Sequence, residues 1–201
     1  MTITYEYGDS LYVNLTNRCS NACTFCVRNE HDNVNGKDPL WLDREPTIEE
    51  IKEDFSKRDL SRYSSVVFCG YGEPTMRFDD MVLIAKWLKA QKPDLPIRLN
   101  TNGQANLICG RNVTPELQGC FDCVSISLNA ENAEKYQELC LSEFGGEKAF
   151  SGLLEFARLA KSYVPEVVLS VVDVLPKEEI EHCRKIAEDC GVKFRVRTFI
   201  Q

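Results

Sequence analysis

The chain has 201 residues, 43% hydrophobic and 27% charged, the proportions of an ordinary globular protein with room for one sizeable core. Twenty-four Lys and Arg against 31 Asp and Glu give a formal net charge of −7 with no basic run, which disfavours an extended nucleic-acid interface. No stretch approaches the roughly 18 uncharged apolar residues of a membrane span, and MTITYEYGDS has neither a basic nor an apolar signal region, so a cytoplasmic protein is expected.

Along the chain, short strands alternate with longer amphipathic segments. The predicted strands are Leu11–Thr16, Ser65–Cys69, Ile97–Thr101, Val124–Asn129, Val167–Val174 and Phe194–Phe199. Helices are predicted near Ile48–Leu60, Asp79–Gln91, Glu131–Leu141, Lys148–Tyr163 and Lys177–Cys190. Thr47 and Glu50 make a capping box before the first helix, and Pro176 and Gly191 bracket the last. Residues 29–46 are polar and aperiodic, a long loop of the kind that often serves as a lid.

Alternating β and α units imply a parallel sheet with right-handed crossovers. A flat sheet covered on both faces has uniformly apolar strands. Here Leu11, Val13 and Leu15 oppose Tyr12, Asn14 and Thr16; Ile97, Leu99 and Thr101 oppose Arg98, Asn100 and Asn102; Val124, Ile126 and Leu128 oppose Ser125, Ser127 and Asn129. One apolar and one polar face fit a curved sheet around a wet lumen, or else a flat sheet left open on one side. Six units fall short of the roughly 250 residues of an eight-unit barrel. The expectation is a single α/β domain over residues 1–201, an open partial TIM barrel of about six parallel β/α units.

Ten cysteines is a high count. In a chain without an export signal they read as metal ligands, reactive thiols or buried apolar residues. Cys19, Cys23 and Cys26 follow the first predicted strand with the spacing C-x3-C-x2-C, in a loop (17–28) at the carboxyl end of a parallel strand, where barrel chemistry sits. Three thiolates within eight residues can hold an iron–sulfur cubane and leave one iron without a protein ligand. A zinc site completed by a distant group such as His31 is the alternative.

This C-x3-C-x-aromatic-C sequence, with Phe25 at the aromatic position, resembles the radical S-adenosylmethionine (SAM) superfamily. Gly70-Tyr71-Gly72-Glu73-Pro74 after the second strand is similar to that superfamily's Gly-Gly-Glu-Pro motif. Asn129-Ala130-Glu131-Asn132 after the fourth strand gives the whole the look of the TatD-associated radical SAM proteins. The resemblance implies a four-iron four-sulfur (4Fe-4S) cluster on Cys19, Cys23 and Cys26 and SAM chelated at the open iron. Reductive cleavage to a 5′-deoxyadenosyl radical would then abstract hydrogen from a substrate. It places Phe25, Gly70, Tyr71, Gly72, Glu73, Pro74, Asn100, Asn102, Ser127 and Asn129 at the SAM site, with Glu73 or neighbouring carbonyls accepting from the ammonium. It also implies an electron donor such as flavodoxin or ferredoxin, and an association with a TatD-type hydrolase. The small domain favours a small-molecule or peptide substrate. Read alone, Gly-x-Gly and Asn102-Gly103 are also ordinary turn signals.

Arg195 and Arg197 project one way from the last strand and can hold a carboxylate or phosphate, or else face solvent or pair with acidic neighbours; Arg28 can approach SAM or substrate, or face solvent. Asp173 ends the fifth strand, and Cys140 is a candidate hydrogen-donating thiol. Cys120 and Cys123 are a candidate half-site for a second metal, with Cys109 and Cys140 nearby in sequence; Cys69, Cys183 and Cys190 read as packing residues. An iron–sulfur electron carrier and a zinc-stabilised interaction module are the rival functions.

Overall fold

The computed structural model describes residues 1–34, 36, 37 and 39–198. Seven strands form one sheet in the order β1 to β7: Thr4–Tyr7, Ser10–Val13, Ser65–Phe68, Ile97–Thr101, Cys123–Ser127, Glu166–Val172 and Lys193–Arg197. β2 to β7 pair in parallel, as the alternation predicts. Phe199, the last residue of the final predicted strand, lies outside the described residues.

β1 is the element the pattern did not reveal. It pairs antiparallel with β2 through the Gly8-Asp9 turn, with Gly8 at φ +62°. Its four residues, TYEY, carry too little apolar alternation to stand out from a loop.

Six helices lie between the strands: α1 Ile48–Ser56, α2 Phe78–Gln91, α3 Ala105–Cys109, α4 Ala133–Cys140, α5 Gly146–Ala160 and α6 Lys177–Cys190. The capping box is present at α1, where Thr47 Oγ1 accepts from Glu50 N and the Glu50 carboxylate accepts from Thr47 N. Gly191 ends α6 in the left-handed region at φ +67°. The short α3 was not anticipated, because five residues carry less than two turns of period.

Leu11, Val13, Val66, Phe68, Ile97, Leu99, Val124, Ile126, Leu169 and Val171 point to the helix side and join one core with residues of all the helices. Their sequence neighbours form rows on the opposite face. Tyr12, Val67, Arg98 and Cys123 lie side by side; Asn100, Ser125 and Val168 make the next row, and Ser127, Ser170 and Arg195 the next. On a flat sheet, strands four places apart are about 19 Å from one another. Yet the Arg197 guanidinium at the end of β7 interacts electrostatically with the Cys69 thiol just after β3. The sheet is therefore curved and unclosed, with its polar face inward: an open partial barrel.

Candidate active site

The carboxyl ends of β2 to β5 bring the predicted motifs together. The loop after β2 carries Cys19, Cys23 and Cys26, all partly exposed. Its backbone is pinned to the end of α4: Ala22 N donates to Cys140 O at 3.1 Å, Thr24 N to Leu139 O at 2.9 Å, and Glu143 N to Ser20 O at 2.9 Å. Burial pushes the Cys19 thiol up to about 12 and raises Cys26 as well. A hydrogen bond between Cys23 and Cys140 pushes the Cys23 thiol up and Cys140 down. Among the described residues no three Cys, His, Asp or Glu side chains are grouped to hold one ion. The thiols of a cubane bind separate irons and need no common point.

Beneath this loop lies a polar network that sequence reasoning missed. Gln104, fully buried, has its amide completely used: Oε1 accepts from Ser20 Oγ at 2.9 Å and Ser142 Oγ at 3.2 Å, and Nε2 donates to Asn21 Oδ1 at 3.0 Å and Tyr136 Oη at 2.9 Å. Asn21 Nδ2 also donates to Tyr136 Oη at 3.1 Å, and Asn102 Nδ2 to Ser20 Oγ at 2.8 Å. Buried polar groups satisfied in this way fix a unique arrangement. Asn102 is thus brought to the site, with its amide engaged in holding the cysteine loop.

The Gly70–Pro74 loop packs directly on the cysteine loop. A Cβ on Gly70 would lie 2.1 Å from Asn14 Oδ1, and one on Gly72 would lie 2.3 Å from Thr16 O and 2.5 Å from Arg18 O. At both glycines the space a Cβ would take is filled by the chain itself, by the Asn14 side chain at Gly70 and by the Thr16 and Arg18 backbone at Gly72. Glu73 stands next to them. Its buried carboxylate accepts from Thr75 N, Thr75 Oγ1 and Thr101 Oγ1 at one oxygen and from Asn102 N at the other, 2.7–3.1 Å in all. Burial pushes its pKa up, and those donors pull against the rise. Glu73 thus ties two loops together. Pro74 is buried at the start of a 3-10 turn.

Tyr71 anchors the 29–46 segment. Its hydroxyl donates to His31 O, and its ring meets Trp41 edge-on at 5.2 Å. Asn14 Nδ2 donates to Leu40 O at 2.6 Å, and Asn17 exchanges hydrogen bonds with Leu42. The described residues of this segment are therefore docked on the site. Arg28 reaches the carbonyls of Asn17, Tyr71 and Asn21, each at 3.3 Å, and braces the loops where solvent or ligand had been the options.

Asn129 stands just past β5, buried, in the left-handed region at φ +59°. Its Nδ2 donates to Cys140 Sγ at 3.7 Å, and its buried Oδ1 has no partner. Cys140, Cys23 and Asn129 thus meet in one place. Asn100 Oδ1 is likewise buried and unpartnered, with its amide against the Cys69 thiol. Cys69 therefore lies on the polar face, where a packing role had been expected; Cys183 and Cys190 do join the core. Phe25 is half-buried against the core beside the cysteines. Cys120 and Cys123 diverge, one donating to Glu116 O at 3.1 Å in the core and the other facing Glu166 across the polar rows. Asp173 is exposed just past β6, where its N–H donates to Arg197 O at 2.9 Å.

Several solved structures share the fold. SuiB of Streptococcus suis bound to precursor peptide SuiA superposes with a TM-score of 0.66 at 14% identity, over 98% of this chain and 40% of that one. Methylornithine synthase (PylB) gives 0.64 at 16% identity, over 94% and 53%. The radical SAM methyltransferase TsrM of Kitasatospora setae, with tryptophan and aza-SAM bound, gives 0.59 at 12% identity, over 94% and 35%. The chain thus spans between a third and about half the length of these proteins. No curated relative matches it. A family model described as the Radical SAM superfamily matches residues 13–190, most of the chain, and the chain belongs to that superfamily.

Proposed function

We propose that the chain is a SAM-cleaving enzyme that holds a 4Fe-4S cluster on Cys19, Cys23 and Cys26. The observation that carries this reading is the pairing of three thiols on one braced loop with the buried, unpartnered Asn129 Oδ1 beside them. The residues fit the groups: three thiols supply a cubane's protein ligands with one iron left open, and an orphaned acceptor at the same place can take a ligand's donor. When bound there, a reduced cluster and SAM supply a 5′-deoxyadenosyl radical that abstracts hydrogen.

The chain's own residues hold and orient these groups. Gln104, Asn102 and Tyr136 fix the cysteine loop from below, and Glu73 joins it to the end of β4. Asn129 binds SAM, Asn100 and Ser127 line the cavity under it, and Phe25 shields the cluster. The docked residues Leu40, Trp41 and Leu42 exclude water on the β2 side. We infer from the look of the Asn129–Asn132 sequence a kinship with the TatD-associated radical SAM proteins and a TatD-type hydrolase as functional partner. The protein is cytoplasmic on this reading, and a flavodoxin or ferredoxin supplies the electron; among the described residues no helix is long and apolar enough to cross a membrane.

One observation favours a rival. Cys140, in contact with Cys23, offers a fourth thiol of the kind that closes the cluster of an electron carrier. Anaerobic reconstitution decides between them. The enzyme reading requires about four irons per chain, lost in Cys19→Ala, Cys23→Ala and Cys26→Ala but kept in Cys140→Ala, and 5′-deoxyadenosine on reduction with SAM. A cluster lost with Cys140 and inert toward SAM would establish the carrier.

A further inference from the structure

Below the site, the inner face of the barrel carries three arginines whose hydrogen-bond partners are all neutral hydroxyls. Arg98 Nη2 donates to Tyr12 Oη at 3.4 Å, Arg195 Nη2 to Ser125 Oγ at 3.1 Å, and Arg197 Nη2 to Ser127 Oγ at 3.3 Å. The last two reach from β7 across β6 to β5, over the lumen side of the sheet. The Nε atoms of Arg98 and Arg197 are buried with no acceptor. Burial and the neighbouring Arg195 and Arg98 push the Arg197 guanidinium down from its usual value, so the three positive charges share one space.

None of the three makes an ion pair with a carboxylate of the described residues. Glu166, which feels Arg195 electrostatically, spends its oxygens on Lys193 Nζ and the Cys123 thiol, and Asp9, which feels Arg98, is bonded to the Ser10 and Ser64 hydroxyls. Glu73 is enclosed under its own loop. Like charges gathered and partly desolvated disfavour the folded state unless an anion completes them. A guanidinium presents Nε–H and Nη–H as a fork that matches the two oxygens of a carboxylate or phosphate. Ser125 and Ser127 accept from the arginines through oxygen, which leaves each hydroxyl proton to donate to the same oxyanion.

We propose that Arg98, Arg195 and Arg197 bind the oxyanion, carboxylate or phosphate, of the substrate. The inference deepens the reading given above, in which Asn100 and Ser127 line a cavity under SAM, by giving that cavity to the substrate. The cluster runs along the lumen from Arg98, one residue from the amino end of β4, to Arg197 at the carboxyl end of β7, so its upper end meets Ser127 and its lower end lies away from Asn102, Asn129 and the cysteines. The substrate class is therefore an anionic metabolite, or a peptide entering with an acidic side chain or terminal carboxylate.

Calorimetric titration of anaerobically reconstituted protein at constant ionic strength tests this, with inorganic phosphate and glutarate as separate probes and sodium chloride as the control. At least one probe should bind saturably, one per chain, and the stronger of the two identifies the oxyanion. Arg195→Gln/Arg197→Gln should weaken it by about tenfold or more, leave SAM affinity within about twofold, and keep or raise the melting temperature as repulsion is relieved. A merely structural role predicts a lower melting temperature with probe affinity unchanged, which overturns the proposal. So does the absence of saturable binding by both probes, or displacement of the probe by SAM, which would give the arginines to the SAM carboxylate. If the double variant fails to fold, Arg197→Lys keeps the charge, loses the fork, and should still weaken the probe. These readouts need no SAM turnover, so they stand whether or not 5′-deoxyadenosine forms.

Discussion

Ser20 in the cysteine loop donates its hydroxyl proton to Gln104 Oε1 at 2.9 Å, across 84 residues of sequence. That single bond joins the cysteine loop to the turn after β4. Gln104 repeats the connection at Asn21, so one amide fixes the loop at two points, and its bond to Tyr136 ties both to α4.

Gln104→Leu fills the same volume without polar atoms and leaves Ser20, Asn21, Tyr136 and Ser142 short of partners. Each buried group left unsatisfied costs roughly 1–3 kcal/mol. The expected outcome is a large fall in the urea midpoint, together with iron content below half of wild type after reconstitution. A stable variant with full iron would show that the network is dispensable for loop placement.

Gly72 sets a steric limit on the same loop. A methyl group there meets the carbonyl oxygens of Thr16 and Arg18 at 2.3 and 2.5 Å, distances that backbone cannot tolerate without moving. Gly72→Ala should therefore push the Gly70–Pro74 loop off the cysteine loop and break the hydrogen bond from Glu73 N to Arg18 O, 2.8 Å long. Loss of cluster loading and faster proteolysis near residue 72 are the expected readouts. Normal loading would mean that the two loops separate freely in solution.

These two residues show what the sequence made legible. The cysteine spacing and the Gly-x-Gly-Glu-Pro run are local, and both end in the same site because parallel strands deliver their carboxyl ends to one side. Strand alternation was legible for the same reason: period 2 sorts Leu99 from Arg98 without knowledge of their neighbours. Gln104 and Tyr136 were not legible, because their partners lie 32 to 115 residues away and polar residues carry no period. Glu73 was visible, but its direction was not. The motif placed it at the site, and only the buried donors Thr75, Thr101 and Asn102 show that it faces inward.

The acid limb of stability should carry the signature of Glu50. Arg44, Thr47 N and Thr47 Oγ1 hold its carboxyl down to about 2, well below its unfolded value. A depressed acid contributes stability that is fully present above the unfolded pKa of about 4.3 and is lost as pH falls toward the folded value. Glu50→Gln keeps a side chain able to close the capping box and loses this titration. Urea midpoints measured from pH 7 to pH 2 should then fall more steeply for wild type than for the variant below about pH 4. Parallel curves would show that the Arg44 pair, which fastens the end of the 29–46 segment to α1, is open in solution.

The sharpest test of the site is Asn129. It holds φ +59°, a conformation that most residues resist, so replacement by Ala would mix the loss of the amide with backbone strain. Glycine adopts that conformation readily, and Asn129→Gly removes the side chain alone. The amide is buried, its Nδ2 touches Cys140 Sγ at 3.7 Å, and its Oδ1 has no protein partner, so its removal breaks one weak bond and relieves an orphaned acceptor. On structural grounds the variant should thus be nearly as stable as wild type. If Asn129 contacts SAM, the lost hydrogen bond costs about 1–3 kcal/mol, a fall in SAM affinity of roughly five- to hundredfold. Asn129→Asp, which keeps the acceptor and adds a charge, separates the two atoms: retained affinity assigns the contact to Oδ1, and lost affinity assigns it to Nδ2. SAM titrations of the cluster-loaded variants therefore decide the matter, and unchanged affinity in Asn129→Gly would remove this residue from the SAM site.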